Sequence, residues 1–391
     1  MDPFKQLLIR IKLNDPGLHS VSLRNQQVGD CLASELAEAL MHNNHITSLD
    51  LSHNQIGPSG VASLTIALMH NQQLKHLELS FNQIGPEGAT QLVCTLLQNT
   101  RLLALGLRSN QLKDSGAKQI ALLLTKNHTI ASLNLCDNLI NDQGALWIAE
   151  ALAKNKTLRH IDLENNFLSP IVMPHFSNTL FDHPSLVRIN FAANLLGLKG
   201  FKALIPALIN NSHLKTIQLG NNQLGPHSMK FLYPVLLANT NLNHIGLNYN
   251  LLGDKGIHHL CIGLEKNKTL QSLDLSSNQI STIGGSRISV MLANNHHLKR
   301  LDLSANQLKK EGGHTLAVAL LSNHTLVYLA LQNNHIDPRE RHKIESSIKH
   351  NQWRTGHIRT DHALHDLLLQ FKQFKDFKNL PTTASWDPSL S

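Results

Sequence analysis

The side chains that could do chemistry in this chain include a pair of carboxylates, a thiol and many histidines. Asp162 and Glu164 stand two residues apart, a spacing that puts both carboxylates on one face of a strand. Enclosed in a pocket, such a pair could act as acid and base or hold a cation. Cys136 is predicted to be an exposed thiol on a strand, but no neighbouring base in the sequence would make it a nucleophile. On an open, solvated sheet we expect these groups to contact a partner, so the sequence predicts no enzyme and no catalytic residue.

A further set of candidate ligands lies near the C-terminus. His362 and His365 stand close to Asp361 and Asp366 and could be drawn as a metal cluster. On the solvated face of a helix such residues are usually only polar, so we expect no metal and no cofactor. The glycines recur at a fixed period rather than in a phosphate-binding loop, and the chain contains neither HExxH nor GxSxG.

The elements that must position these side chains come from a strict internal repeat. Leu74, Leu77 and Leu79 are spaced for a short strand, and the next unit begins at Leu102, which gives a period of 28 residues. A fixed period of this length is typical of a solenoid. The register runs without insertion or deletion, and the twelve repeats start at Leu18, Ile46, Leu74, Leu102, Ile130, Leu158, Leu186, Leu214, Leu242, Leu270, Leu298 and Leu326.

Two asparagine ladders keep the same register. One follows the strands, from Asn54 to Asn334, where each amide can donate to and accept from backbone groups that lie away from water. The other closes the helices, from Asn43 to Asn351, with His183 as its one departure. We expect this second ladder to use the left-handed conformation that asparagine tolerates at a helix end.

A helix is predicted in the second half of each repeat, with local departures in the middle of the array. Pro170 and Pro174 replace the usual glycine-bearing turn, and Pro206 and Pro234 fall inside apolar helix runs. An interior proline loses a hydrogen bond and clashes with the preceding turn. Kinked, shifted or irregular helices are therefore expected in these repeats.

The pattern LxxLxLxxNxL followed by GxxxLxxxL resembles the leucine-rich repeats of the ribonuclease-inhibitor type, over residues 18 to about 350. The resemblance implies an α/β fold: a right-handed horseshoe solenoid with a parallel sheet on the concave face and helices on the convex face. The expected organisation is an N-terminal cap at residues 1–17, twelve repeats at residues 18–351, and a C-terminal cap helix and flexible tail at residues 352–391.

The informative positions are the side chains that strand alternation places on the concave floor. These residues vary from repeat to repeat, although the leucines and asparagines that define the repeat do not. This variation favours a role in binding. Aromatic and arginine side chains tend to dominate the energy of an interface. The predicted partner-binding residues are His76, Glu78, Phe81, Arg108, His160, Asp162, Glu164, Arg188, His244, Tyr249, Arg300, Asp302 and Tyr328.

The leading interpretation is a protein-binding scaffold that engages a partner on its concave face. GTPase-activating proteins for the nuclear-transport GTPase share this repeat type, so a GTPase-activating or GTPase-regulating protein is the alternative. Mixed charge on the floor argues against nucleic acid, which would require a basic groove. The basic amphipathic stretch at residues 361–378 favours a cap helix over contact with a membrane surface. A monomer is expected.

Charge and cysteine usage bear on where the protein acts. The net charge of +8 comes from scattered basic residues, and the four cysteines form no disulfide framework, which favours a reducing, cytoplasmic compartment. The first 17 residues contain no uninterrupted apolar region, so no classical export signal is expected. A free-standing array rich in Asn, His, Lys and Gln resembles secreted effectors of intracellular bacterial pathogens. That resemblance implies export by a C-terminal signal and action on a host protein in the host cytosol.

Overall fold

A computed structural model describes residues 3–356, in which short strands alternate with helices. The strands within these residues form one parallel sheet whose order follows the sequence. Each strand pairs with the equivalent residues of the next repeat, as Val21 does with Leu49. The strands are β1 (Ser20–Ser22), β2 (Ser48–Asp50), β3 (His76–Glu78), β4 (Ala104–Gly106), β5 (Ser132–Asn134), β6 (His160–Asp162), β7 (Arg188–Asn190), β8 (Thr216–Gln218), β9 (His244–Gly246), β10 (Ser272–Asp274), β11 (Arg300–Asp302) and β12 (Tyr328–Ala330).

The helices lie on the other side of this sheet. Paired strands are about 4.8 Å apart and packed helices about 8–10 Å apart, so the stack must curve with the strands on its inner face. This confirms the predicted α/β solenoid. The described helices are α1 (Pro3–Lys12), α2 (Gly29–Met41), α3 (Pro58–His70), α4 (Gly85–Leu96), α5 (Lys113–Lys126), α6 (Asp142–Lys154), α7 (Met173–Leu180), α8 (Gly197–Asn210), α9 (Met229–Ala238), α10 (Gly253–Leu264), α11 (Thr282–Asn294), α12 (Lys309–Ala319) and α13 (Pro338–Arg354).

The core is a continuous column of aliphatic side chains between the sheet and the helices. In the second repeat, Leu49 and Leu51 point inward from the strand segment, while Leu64 and Leu68 point inward from α3, and all four are buried. Burying one such side chain contributes roughly 1.5–3 kcal/mol. Because the same positions are apolar in every repeat, each layer covers the open side of the one before it.

The first asparagine ladder satisfies the backbone between layers as predicted. The Asn138 amide donates to the carbonyls of Leu107 at 2.8 Å and Cys136 at 3.0 Å. Its oxygen accepts from the backbone N–H groups of Asn110 at 3.0 Å and Leu112 at 3.3 Å. One side chain therefore joins two successive repeats through groups that water does not reach.

The second ladder works differently from the expectation, which was wrong about its backbone. None of the closing asparagines has a positive φ, and Asn71 is extended, with φ −72° and ψ 118°. Asn127, Asn155, Asn211, Asn239 and Asn295 are extended in the same way. The Asn71 amide donates to the carbonyl of Leu40 at 2.8 Å in the preceding repeat, and its oxygen accepts from the Leu74 N–H at 2.9 Å. His183 makes the same two contacts with its ring nitrogens, to Leu152 and Leu186. Hydrogen-bonding capacity, and not backbone tolerance, is what these positions require.

Two adjacent asparagines provide a test of this ladder. We expect Asn295→Ala to lower the free energy of unfolding by about 2 kcal/mol, because the carbonyl of Leu264 and the N–H of Leu298 lose their buried partner. Asn294→Ala is the control, since that side chain is exposed on α11 and should cost less than about 0.5 kcal/mol. Equal losses in chemical denaturation would contradict a special role for the ladder.

The proline-bearing repeats depart less than expected. Pro206 lies inside α8, yet this helix runs unbroken over its 14 residues, so the predicted disruption is absent there. The repeat with Pro170 and Pro174 has a short helix of 8 residues, and the segment before α9 begins as a 3₁₀ turn at Pro226–Ser228. The irregularity is therefore confined to the starts of these helices.

Some expectations fall on residues that the structure does not describe. The stretch at residues 361–378, the histidine and aspartate group within it, and nearly all of the predicted C-terminal cap helix and tail lie outside residues 3–356. Within the described part of the chain, no helix is long and apolar enough to cross a membrane.

Candidate binding surface

The predicted binding residues occupy three columns on the inner face and the turn beyond it. The sheet register places His160 beside Arg188, and Arg300 beside Tyr328, at the starts of neighbouring strands. His76 and His244 share this first column. The second column contains Glu78, Asp162 and Asp302, and the third contains Arg108 and Glu164. Phe81 and Tyr249 lie in the turns after the strands, where both have a positive φ.

These side chains differ widely in accessibility. Tyr249 is 59% exposed and Tyr328 39% exposed, and His76 is also accessible. Glu78, Asp162 and His244 are buried. The sequence suggested an open, solvated floor, and for these three residues that expectation was wrong. Strands only about 4.8 Å apart let long polar side chains fold across the neighbouring strand.

Glu78 shows how the floor encloses a carboxylate. Its side chain lies across Gly106 on β4, where an added Cβ would overlap the carboxylate. One carboxylate oxygen accepts from the Ser80 N–H at 2.8 Å. Burial raises the pKa of Glu78 to about 7, although the bonds from Ser80 oppose the shift. The absence of a side chain at Gly106 is thus what gives Glu78 its buried position.

A second cluster unites Asp162, Glu164, Arg188 and Asn190. The Asn190 amide donates to Asp162 at 3.2 Å and to Glu164 at 2.8 Å. Burial and the nearby Glu164 raise the pKa of Asp162, while the charge of Arg188 lowers it. Arg188 is itself largely enclosed, and burial lowers its pKa. The guanidinium compensates two carboxylates that would otherwise repel each other in a dry environment.

Cys136 adjoins this cluster and corrects a further expectation. It is 1% exposed, so it is a buried thiol and not an accessible one. Among the described residues, potential ligand atoms of Cys136, Asp162 and Glu164 lie within 4.8 Å of one another, close enough to bind one cation. Burial raises the pKa of Cys136 well above its usual range, and Asn190 already donates to both carboxylates. These contacts favour a closed polar cluster over a metal centre.

The buried histidines of the first column are neutral near physiological pH. Burial, reinforced by Arg188 and Arg159, lowers the pKa of His160 to about 4. Burial, reinforced by Arg188 and Arg300, lowers the pKa of His244 to about 3. The Gln218 amide lies 2.9 Å from Nε2 of His244, where it can donate to the neutral ring. Positive charge in this column therefore belongs to the arginines.

An arginine guanidinium lies against an aromatic ring near each end of the inner face. The ring of Phe81 stacks on His53 at 4.1 Å between centroids, and the Arg108 guanidinium lies 5.2 Å from the Phe81 centroid. Near the other end, the Arg300 guanidinium lies 4.2 Å from the centroid of Tyr328. Such cation–π contacts orient the arginines and leave aromatic edges for a partner.

A charged surface, of whose lysines and arginines only Arg188 and Arg300 were predicted, runs along the edge where the strands begin. From the second repeat on, each repeat contributes six residues to this basic edge, from the closing asparagine (or His183) to the first concave residue, starting with residues 43–48 and ending with residues 323–328. These segments contain no Asp or Glu. Their nine Lys and Arg residues are Lys75, Arg101, Lys156, Arg159, Arg188, Lys215, Lys268, Lys299 and Arg300. Acidic residues begin only in the next column, so the charged residues of the basic edge itself are all of one sign.

The basic edge contains a hollow of about 720 Å³ on its central strands. Arg159, Arg188 and Lys215 line it together with His76 and His160. Reading the column one residue before the strand, where Arg159 and Lys215 stand, would have revealed these cations. That column lies outside the alternation used to predict the floor, and this is why the sequence pattern alone did not single it out.

The fold is a solenoid of strand–helix repeats, and several of them match a known repeat family. The family model described as Leucine Rich repeat matches residues 42–64, 70–93, 98–121, 210–232, 266–289 and 294–317. The chain therefore carries leucine-rich repeats, in a scaffold typical of protein–protein interaction. No curated protein matches the chain.

Three solved structures are similar to this chain at low sequence identity. An internalin from Listeria monocytogenes is 18% identical with a TM-score of 0.50, covering 87% of this chain and 91% of its own. The yeast complex of Rad7 and Elc1 gives 14% identity and a TM-score of 0.48, covering 86% and 91%. The actin-binding site 2 of leiomodin-1 gives 23% identity and a TM-score of 0.36, covering 40% and 90%. These likenesses concern the fold alone.

Proposed function

We propose that this chain is a non-enzymatic scaffold that holds a partner protein on its concave face. The proposal rests on the contrast between the residues that hold successive repeats together and the residues of the inner face. The ladder asparagines and core leucines recur in every repeat, whereas the inner-face side chains change and are grouped into distinct clusters. Stacking of the repeats requires only the ladder asparagines and the core leucines. The variation among the inner-face side chains is therefore best explained by binding of a partner protein.

The chemistry of the enclosed groups also supports binding over catalysis. Burial raises the pKa of the Cys136 thiol, which disfavours the nucleophilic thiolate. Asp162 and Glu164 accept hydrogen bonds from Asn190, which ties them to their neighbours in the sheet. By contrast, Tyr249 and Tyr328 have aromatic surface exposed to solvent. Aromatic side chains of this kind are enriched among the residues that dominate interface energy.

The two tyrosines provide the test. We expect the double variant Tyr249→Ala/Tyr328→Ala to lose most of the proteins that the full chain captures from a cell extract, as measured by quantitative mass spectrometry. The control is Val290→Ala/Leu321→Ala, which removes exposed apolar surface on the helical side. Loss in the control alone, or retention in both variants, would contradict binding on the concave face.

The 28-residue period with a helix in each repeat supports the ribonuclease-inhibitor type as the class of repeat. All four cysteines are unpaired, which supports action in a reducing compartment such as the cytosol.

We also propose that the protein is a bacterial effector delivered to a host cell, and this proposal rests on its composition. We expect a reporter fused to residues 352–391 to be transferred from a secreting bacterium into host cells. Retention of the reporter in the bacterium would contradict that setting.

A further inference from the structure

We propose that the hollow on the basic edge binds an acidic segment of the partner protein, in which carboxylates alternate with apolar side chains. This inference rests on the proposed scaffold function and names the chemistry of the partner. The basic edge lies beside the predicted floor residues, so one partner could contact both. Three features of the hollow support an acidic ligand: the positions of its cations, the residues around them and the apolar side chains in its lining.

The cations come from three successive repeats and converge on one place. Arg159 directly precedes β6, Arg188 begins β7, and Lys215 directly precedes β8. The Arg188 N–H donates to the Arg159 carbonyl at 3.0 Å, and the Lys215 N–H donates to the Val187 carbonyl at 2.9 Å. The backbones that carry these side chains are therefore held at hydrogen-bonding distance, and all three side chains line the same hollow.

At the mouth of the hollow the accessible positive charge lies on Arg159 and Lys215. None of the described residues that line it is acidic. Asp162 and Glu164 stand in the second and third columns, where Asn190 donates to both carboxylates and the charge of Arg188 compensates them. Arg159 and Lys215 are exposed to solvent, so an incoming carboxylate can reach them without displacing a protein partner. Cationic clefts of this kind concentrate and orient anions.

The remaining lining distinguishes among anions. Val187 contributes apolar surface between Arg159 and Lys215, and Leu103 and Ala131 extend that surface on the other side of Arg159, which suits aliphatic side chains of a polypeptide. No described lining residue is Phe, Tyr or Trp, so the hollow lacks the stacking platform that single-stranded nucleic acids use. These features favour an acidic peptide over a nucleic acid.

A peptide titration tests the inference with the full chain. The probe is a labelled synthetic peptide that alternates glutamate with leucine or alanine, followed by fluorescence anisotropy. We expect Arg159→Glu/Lys215→Glu to weaken its binding by about tenfold or more, and the same peptide with glutamine in place of glutamate to bind about tenfold more weakly to the unchanged protein. The control Lys199→Glu/Lys255→Glu makes the same charge change on exposed positions of α8 and α10, and should alter affinity by less than about twofold.

Several results would overturn the inference. These are a peptide that does not bind, an equal loss in both double variants, or tighter binding of a uridine oligonucleotide that depends on Arg159 and Lys215.

A second experiment, the capture of partner proteins from a cell extract, distinguishes failure of this inference from failure of the scaffold proposal. If the tyrosine variant loses its partners while Arg159→Glu/Lys215→Glu keeps them, the acidic-segment inference fails and the scaffold stands. If neither variant loses them, the concave-face proposal fails as well. Thermal melts within a few degrees of the unchanged protein establish that both variants fold.

Discussion

Replacing Arg188 by methionine should lower the free energy of unfolding by about 3 kcal/mol near neutral pH, because the buried carboxylate of Asp162 and its neighbour Glu164 lose their compensating charge. Methionine keeps much of the aliphatic volume, so the loss reports on charge more than on packing. We expect the destabilisation to shrink in acid, since a protonated Asp162 no longer needs the guanidinium. Chemical denaturation at several pH values measures both effects.

A double-mutant cycle makes this prediction specific. Asp162→Asn in the Arg188→Met background should recover much of the lost stability, because the buried charge is then removed together with its partner. Arg159→Met is the matched control at an exposed position of the preceding repeat, one residue before His160, the strand partner of Arg188, and should cost less than about 0.5 kcal/mol. An Arg188→Met protein as stable as the unchanged chain above neutral pH would show that the guanidinium does not compensate this cluster.

Glu78→Gln should remove a pH-dependent loss of stability. The folded state holds the Glu78 proton up to a pKa of about 7, against 4.5 for the ordinary group. As the pH rises through this window, the unfolded chain releases its proton first, so stability falls with increasing pH by about 3 kcal/mol in total. Glutamine imitates the protonated acid and can still accept from the Ser80 N–H, so the variant should lack this fall.

The test of Glu78 is the difference between variant and unchanged protein at each pH. His160 and His244 contribute in the opposite sense, because burial lowers the pKa of both and their folded forms gain stability as the pH rises towards 6.5. Subtracting the two profiles removes that contribution. Glu87→Gln, on the exposed face of α4, is the control. Parallel profiles for Glu78→Gln and the unchanged chain would contradict a buried, protonated Glu78, and carbon NMR of the Glu78 carboxyl group measures its pKa directly.

Much of the architecture could be predicted because it repeats. A 28-residue period with leucines at strand spacing leaves few arrangements other than a stack of parallel strands and helices. The strand ladder of asparagines followed from the need to satisfy backbone groups away from water, and Asn138 does so. The helix-end ladder was located correctly but explained wrongly, since Asn71 is extended and acts through its amide. Position follows from periodicity, whereas backbone conformation depends on the neighbouring repeat.

The sequence by itself determined the frame of this protein: which side chains are buried between sheet and helices, and which strand positions face inward. Only the tertiary structure decided how those inward side chains share their space. Glu78 is buried because Gly106 stands beside it on the next strand, and Asp162 is compensated because Arg188 begins the strand that follows. Alternation describes one strand at a time, but the pKa of a carboxylate depends on residues 26 to 28 positions away in the sequence. The carboxylates and thiol that first suggested chemistry are thus largely enclosed, and the accessible charge lies on the basic edge beside them.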